Sequence, residues 1–154
     1  MDKVKFYQEL NEQVAAIISS ESDVIANMAN ISALLFEALD FVNWAGFYRL
    51  IDGELVLGPF QGKVACIRIP VGRGVCGTAV SQDQTQLIGD VHQFTGHIAC
   101  DAASNSEIVI PVRQSGKVIA VLDIDSVKFE RFDQEDKKGL ETTVRLLEQQ
   151  LVAE

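Results

Sequence analysis

The spacing of apolar residues changes abruptly about forty residues into this chain, and that change limits the folds open to it. Before it, apolar side chains recur at helical intervals. Val4, Tyr7, Leu10, Val14, Ile17 and Ile18 form one stripe over Val4–Ser20. Asp23, a good N-cap, then introduces a second stripe of Val24, Ile25, Met28, Ile31, Leu34 and Leu35. From Val42 the composition turns aromatic and β-branched, and Val42–Ile51 runs into Asp52–Gly53, a strong hairpin signal, and Glu54–Leu57. Two helices followed by paired antiparallel strands exclude a repeated parallel βαβ fold from the outset.

The remaining strands and helices continue that pattern. Lys63–Pro70 and Gln86–Val91 read as strands, and Gly74–Ser81 as a short helix. Ser106–Gln114, the Ser115–Gly116 turn and Lys117–Ser126 make a second hairpin. Asp133 caps a final helix over Asp133–Val152, with Asp136 in its first turn and Leu140, Val144, Leu147 and Leu151 along one side. The expected fold is α+β: one domain over residues 1–154, a mostly antiparallel sheet, and the terminal helices packed on one face. No internal repeat, linker or low-complexity segment interrupts it.

Charge and cysteine content narrow the function. With 13 basic and 22 acidic residues the net charge is −9, which argues against nucleic-acid or anionic-membrane partners. No apolar run approaches the ~20 residues of a membrane span. Met1–Lys5 does not open a signal-peptide pattern, so a cytoplasmic protein is expected. Three cysteines are too few, and odd in number, for a secreted disulfide scaffold. In a reducing compartment they read as free thiols, metal ligands or redox groups.

The chemically useful residues fall in a few places. The stretch Gly96–Glu107 places His97, Cys100, Asp101 and Glu107 in a segment rich in small polar residues. In the first long strand Trp44, Gly46 and Tyr48 share a face, opposite Ala45 and Phe47, and either wall a pocket or cover a core. Cys66 falls on a strand face with Val64 and Arg68, where an Arg would stabilise a thiolate. Gly72–Arg73–Gly74–Val75–Cys76–Gly77 matches G-x-G-x-x-G, but the helix after it is too short for a dinucleotide unit, so a tight turn is expected. Cys76 then sits near a helix N-terminus, where the dipole favours a thiolate. Ile119, Val121, Asp123 and Asp125 share one strand face, so an apolar surface ends in two neighbouring carboxylates.

Three chemistries compete for these groups. A zinc site lacks a C-x-x-C pair. A Cys–His acyl-transfer pair would normally come from distant segments, whereas His97 is three residues from Cys100. Thiol–disulfide redox chemistry needs an accessible nucleophile, a second thiol and an acid. Cys100, Cys66 or Cys76, and Glu107 with Asp123 and Asp125 supply all three.

The motifs Trp44–Ala45–Gly46–Phe47–Tyr48, Gly62–Lys63–Val64–Ala65–Cys66, Gly72–Cys76–Gly77, Gly96–Glu107 and Leu122–Asp123–Ile124–Asp125–Ser126 together resemble the free methionine-(R)-sulfoxide reductases, which are single GAF-domain enzymes. The resemblance runs from about Phe41 to Leu140, with departures at Thr95 and Val127. It implies Cys100 as nucleophile, Cys66 as resolving thiol and Cys76 as the family's third cysteine. It implies Glu107, Asp123 and Asp125 as carboxylates for the substrate's polar groups and for acid assistance, and Trp44 and Tyr48 as walls around its methyl end. Within that set we assign acid assistance to Glu107 and Asp125 and the substrate ammonium to Asp123. It further implies no bound cofactor, thioredoxin as external reductant, and a homodimer. The alternative is a GAF module that senses a small molecule or oxidant without turnover. With no signalling domain left over, it explains less of the chain.

Overall fold

The computed structural model describes residues 2–98 and 103–151. Helices α1 (Lys3–Ile18) and α2 (Val24–Ala38) precede strands β1 (Val42–Ile51), β2 (Glu54–Gly62) and β3 (Arg68–Pro70). Helix α3 (Gly74–Gln82), β4 (Gln86–Ile88), a 3₁₀ turn at Val91–Gln93, β5 (Ser106–Gln114), β6 (Lys117–Ser126) and α4 (Gln134–Gln149) complete the chain. The strands form a six-stranded sheet in the order β3-β2-β1-β6-β5-β4, with every pair antiparallel.

The sheet separates two apolar layers. On one face, the stripes of α1, α2 and α4 pack against Ala45, Phe47, Ile108, Ile110, Leu122 and Ile124. The terminal helices therefore spend their apolar sides on their own sheet. Polar contacts fasten α1 to α4: Tyr7 donates to Asp136 Oδ1 at 2.6 Å, Asn11 donates to the Gly139 carbonyl at 3.0 Å, and Lys3 bridges Asp136 and Asp133 at 2.7 and 3.0 Å. Asp133 and Asp136 form a reciprocal capping box at the start of α4. On the other face, α3 covers a smaller cluster that includes Trp44, Tyr48, Leu55, Ile69, Val75, Cys76, Val109 and Val121.

Three departures from the sequence reading matter for the site. The strand expected over Lys63–Pro70 is only Arg68–Pro70, because the backbone before it is engaged elsewhere. Trp44 Nε1 donates to the Lys63 carbonyl at 3.2 Å and the Tyr48 hydroxyl to the Cys66 carbonyl at 2.9 Å. Residues 63–66 therefore lie off the ladder, which Ile67 rejoins by accepting from the Leu57 N–H at 2.9 Å, so the alternation assumed for Cys66, Val64 and Arg68 does not apply. Gln86–Val91 likewise stops at Ile88, where the chain turns into the 3₁₀ segment capped by Asp90. Finally, Ile119 packs toward the terminal-helix layer and not beside Asp123. It is the extra residue where the register steps from Val112↔Ala120 to Arg113↔Val118, and that bulge reverses its direction. Among the described residues, no helix is long and apolar enough to cross a membrane.

Candidate active site

The strand register assembles the site. Trp44 on β1, Asp125 on β6 and Glu107 on β5 are cross-strand neighbours in one row; Gly46, Asp123 and Val109 form the next, and Tyr48, Val121 and Pro111 the third. Period-two alternation turns these rows toward α3, and α3 brings Cys76 over them. The result is a cavity walled by Trp44, Tyr48, Cys76, Glu107, Asp123 and Asp125, with about 520 Å³ free of atoms including its mouth and about 40 Å³ open to water at its centre. Trp44, 2 % exposed, stacks between Tyr48 and Phe60, with ring centroids 5.8 and 5.1 Å away. Gly46 permits this stack, since a Cβ there would lie 2.2 Å from Phe60 Cβ. Trp44 and Tyr48 thus wall a pocket and belong to a core at the same time.

The floor is acidic. Glu107 and Asp123 are 8 % and 5 % exposed, and ligand atoms of Cys76, Glu107 and Asp123 lie within 4.8 Å of one another. Glu107 hydrogen-bonds both Asp123 and Asp125. An ionised carboxylate only accepts, so each such bond needs a proton on one partner. Burial, reinforced by the charges of Asp123 and Asp125, pushes the Glu107 carboxyl well above the usual range and makes it the natural proton carrier. Burial also raises Asp123, although its hydrogen bonds with Glu107, Asp125 and Cys76 act in the opposite direction. Among the described residues, Asp123 Oδ1 has no hydrogen-bond partner, so a ligand donor entering the cavity would find an acceptor there. Cys76, Glu107 and Asp123 are also the described residues that could converge on one cation.

The cysteines differ in state. Cys66 is disulfide-bonded, and Arg68, which was expected to act on its thiol, instead pairs with Glu54 at 2.6 Å. Cys76 is a free, buried thiol. The thiolate expected there from the helix dipole is overturned. Desolvation, followed by the charges of Asp123, Glu107 and Asp125, drives the Cys76 thiol well above its ordinary value. One turn of dipole does not offset a buried position against three carboxyl groups. The glycine motif that delivers Cys76 is a turn, as expected: Gly72 N–H donates to the Gly77 carbonyl at 2.9 Å and Gly77 N–H to the Arg73 carbonyl at 3.0 Å. A Cβ at Gly77 would lie 2.5 Å from the Pro70 carbonyl oxygen, which explains that glycine by packing. Cys100 and Asp101 lie outside the described residues.

Two residues at the site were given no binding role by the sequence, and of these Phe60 stacks on Trp44 without lining the cavity. Phe60 sits on the strand register of Gly46, in a segment the hairpin reading ended at Leu57. His97 borders the cavity beside Ile98, with a buried Nδ1 that has no hydrogen-bond partner among the described residues. Desolvation and the nearby His92 lower its pKa. Its place in the Gly96–Glu107 stretch was the signal available.

Comparison with known proteins gives this geometry a family. A GAF domain model matches residues 27–151. The chain is 59 % identical over 151 residues to the free methionine-R-sulfoxide reductase of Escherichia coli, covering 98 % of this chain and 92 % of that one. A solved free methionine-R-sulfoxide reductase from Neisseria meningitidis, in complex with its substrate, superposes with a TM-score of 0.94 at 43 % identity, covering 97 % and 90 % of the two chains. A putative GAF sensor protein from Burkholderia vietnamiensis superposes with a TM-score of 0.94 at 52 % identity, covering 98 % and 96 %. The acidic, aromatic-walled cavity on the α3 face thus sits in a GAF domain, and the chain belongs to the free methionine-R-sulfoxide reductase family.

Proposed function

We propose that this protein reduces free L-methionine-(R)-sulfoxide to methionine. The observation that carries the reading is the cluster of Glu107, Asp123 and Asp125 carboxyls lining one cavity beside the stacked Trp44 and Tyr48 rings. A sulfoxide oxygen leaves poorly until it is protonated, and Glu107 is kept neutral by its surroundings to do that. Asp123, with an open oxygen, takes the substrate ammonium, and Asp125 shares the proton relay with Glu107. The methyl group rests against Trp44, so only one epimer turns its oxygen toward the carboxyls. Carboxylates for a free ammonium also favour the amino acid over a peptide.

Cys100 thiolate attacks the sulfoxide sulfur. The substrate's S–O bond then breaks as its oxygen, taking a proton from Glu107, passes to the Cys100 sulfur, which releases methionine and leaves Cys100 as a sulfenic acid. The Cys66 thiol then displaces that oxygen as water and forms a disulfide with Cys100. The disulfide state of Cys66 supports its place in this cycle. Thioredoxin restores both thiols by exchange. No cofactor is needed, since the electrons come from thiols. Cys76, buried and protonated, donates to Asp123 and positions it without entering the redox cycle. A cytoplasmic setting supplies the reductant. A homodimer fits the apolar side chains that α1 and α2 leave outside the core, Val4, Ile17 and Ile25.

The test is NADPH consumption coupled through thioredoxin and its reductase, comparing the free (R)-epimer, the free (S)-epimer and peptide-bound sulfoxide. Turnover of the free (R)-epimer alone, abolished in Cys100→Ser, is expected. Folded, reduced protein that turns over none of them would overturn the assignment in favour of a ligand-binding GAF module.

A further inference from the structure

The regeneration step requires a second protein to reach a disulfide beside a buried cavity, and the segment 63–71 has the features of its landing place. Val64 and Ile67 flank Cys66 and are 88 % and 70 % exposed, while Cys66 itself is half-buried. Apolar side chains this exposed cost solubility unless a partner covers them. Val71, just past the end of β3, is exposed as well. The segment includes β3, the terminal strand of the sheet, which is paired on one side only. An extended partner segment can therefore add along it. Charge singles out the region as well. In a chain of net charge −9, Lys63, Arg68 and Arg73 cluster here in exposed positions, and neither Lys63 nor Arg73 forms an ion pair with a described residue.

We infer that segment 63–71 is the docking surface for the thioredoxin-type reductant, and that Cys66 Sγ is the sulfur it attacks. The occupant is a dithiol protein with an apolar rim around its reactive thiol and acidic residues beyond it. Its thiolate bonds to Cys66 Sγ as the enzyme's S–S bond breaks, and the departing sulfur carries off the electron pair and takes a proton. The reductant's second thiol then displaces Cys66 and forms its own disulfide. The protein gains two electrons and two protons, and the reductant loses them. This inference rests on the regeneration reading above.

The experiment uses thioredoxin whose second active-site cysteine is replaced by serine, mixed with the oxidised protein, with the trapped adduct mapped by peptide mass spectrometry. A mixed disulfide on Cys66 is expected; one on Cys100 overturns the inference. In parallel, Ile67→Glu is expected to lower kcat/KM for wild-type thioredoxin about tenfold while turnover driven by dithiothreitol is unchanged. An unchanged kcat/KM for thioredoxin in that variant overturns the docking surface. Turnover with dithiothreitol but none with thioredoxin overturns the regeneration reading itself, an outcome distinct from thioredoxin acting at another surface.

Discussion

At the scale of single residues, burial sets the chemistry. Glu107, Asp123 and Cys76 are ordinary acids and an ordinary thiol, moved to unusual protonation by lost solvation and by one another. Because Glu107's folded pKa lies above its unfolded one, its favourable contribution to stability is complete below about pH 4 and fades as pH rises through the folded value. Glu107→Gln keeps a hydrogen-bonding group without that loss. Its melting temperature should therefore exceed the wild-type value by a margin that widens from acid to neutral and alkaline pH. Its kcat should fall about a hundredfold or more, since the acid is gone. Scanning calorimetry across pH together with steady-state kinetics checks both; a variant that is less stable at alkaline pH and fully active would remove Glu107 from the acid role. These protonation states were only partly legible in the chain. Asp123 and Asp125 announce themselves by sharing a strand face, but Cys76's surroundings come from β5 and β6, thirty and more residues away, and no local pattern could show them.

At the scale of elements, the caps and hairpins were readable because their causes are local. Asp52–Gly53 and Ser115–Gly116 join neighbouring strands, and β5 and β6 run up to either side of Ser115–Gly116. The segment 63–66 was not readable, because side chains of β1, Trp44 and Tyr48, take its Lys63 and Cys66 carbonyls. Asp133 combines a local cap with a distant partner, and the result has a measurable size. Although desolvation opposes it, the Asp136 backbone N–H and Lys3 hold the Asp133 carboxyl down at about 2. Its contribution is thus present above the unfolded value near 4 and lost as pH falls from there toward 2. Asp133→Ala should destabilise the protein by about 1 kcal/mol at neutral pH. That difference should shrink through the same acid window in denaturant titrations. A constant difference across it would mean that the carboxylate is not the stabilising group.

At the scale of the whole molecule, one sheet serves two purposes by its two faces. Helices α1, α2 and α4 close an apolar layer on one side, and that layer holds β1, β5 and β6 in the register that aligns Trp44, Glu107, Asp123 and Asp125 on the other. The α+β class and the helix layer followed from periodicity alone. The cavity did not, because it depends on which strands lie side by side, and β1 meets β6 across some eighty residues of chain. The family resemblance supplied that adjacency before any geometry did. The proposed cycle has thiols of this chain carry the two electrons to the sulfoxide. Its most direct test is a single turnover: reduced protein, freed of reductant, mixed with excess free (R)-sulfoxide, with methionine quantified and thiols mapped afterwards. About one equivalent of methionine per chain, with Cys66 and Cys100 joined and Cys76 still a thiol, is the predicted result. Methionine formation with all three thiols intact, or none formed at all, would contradict it.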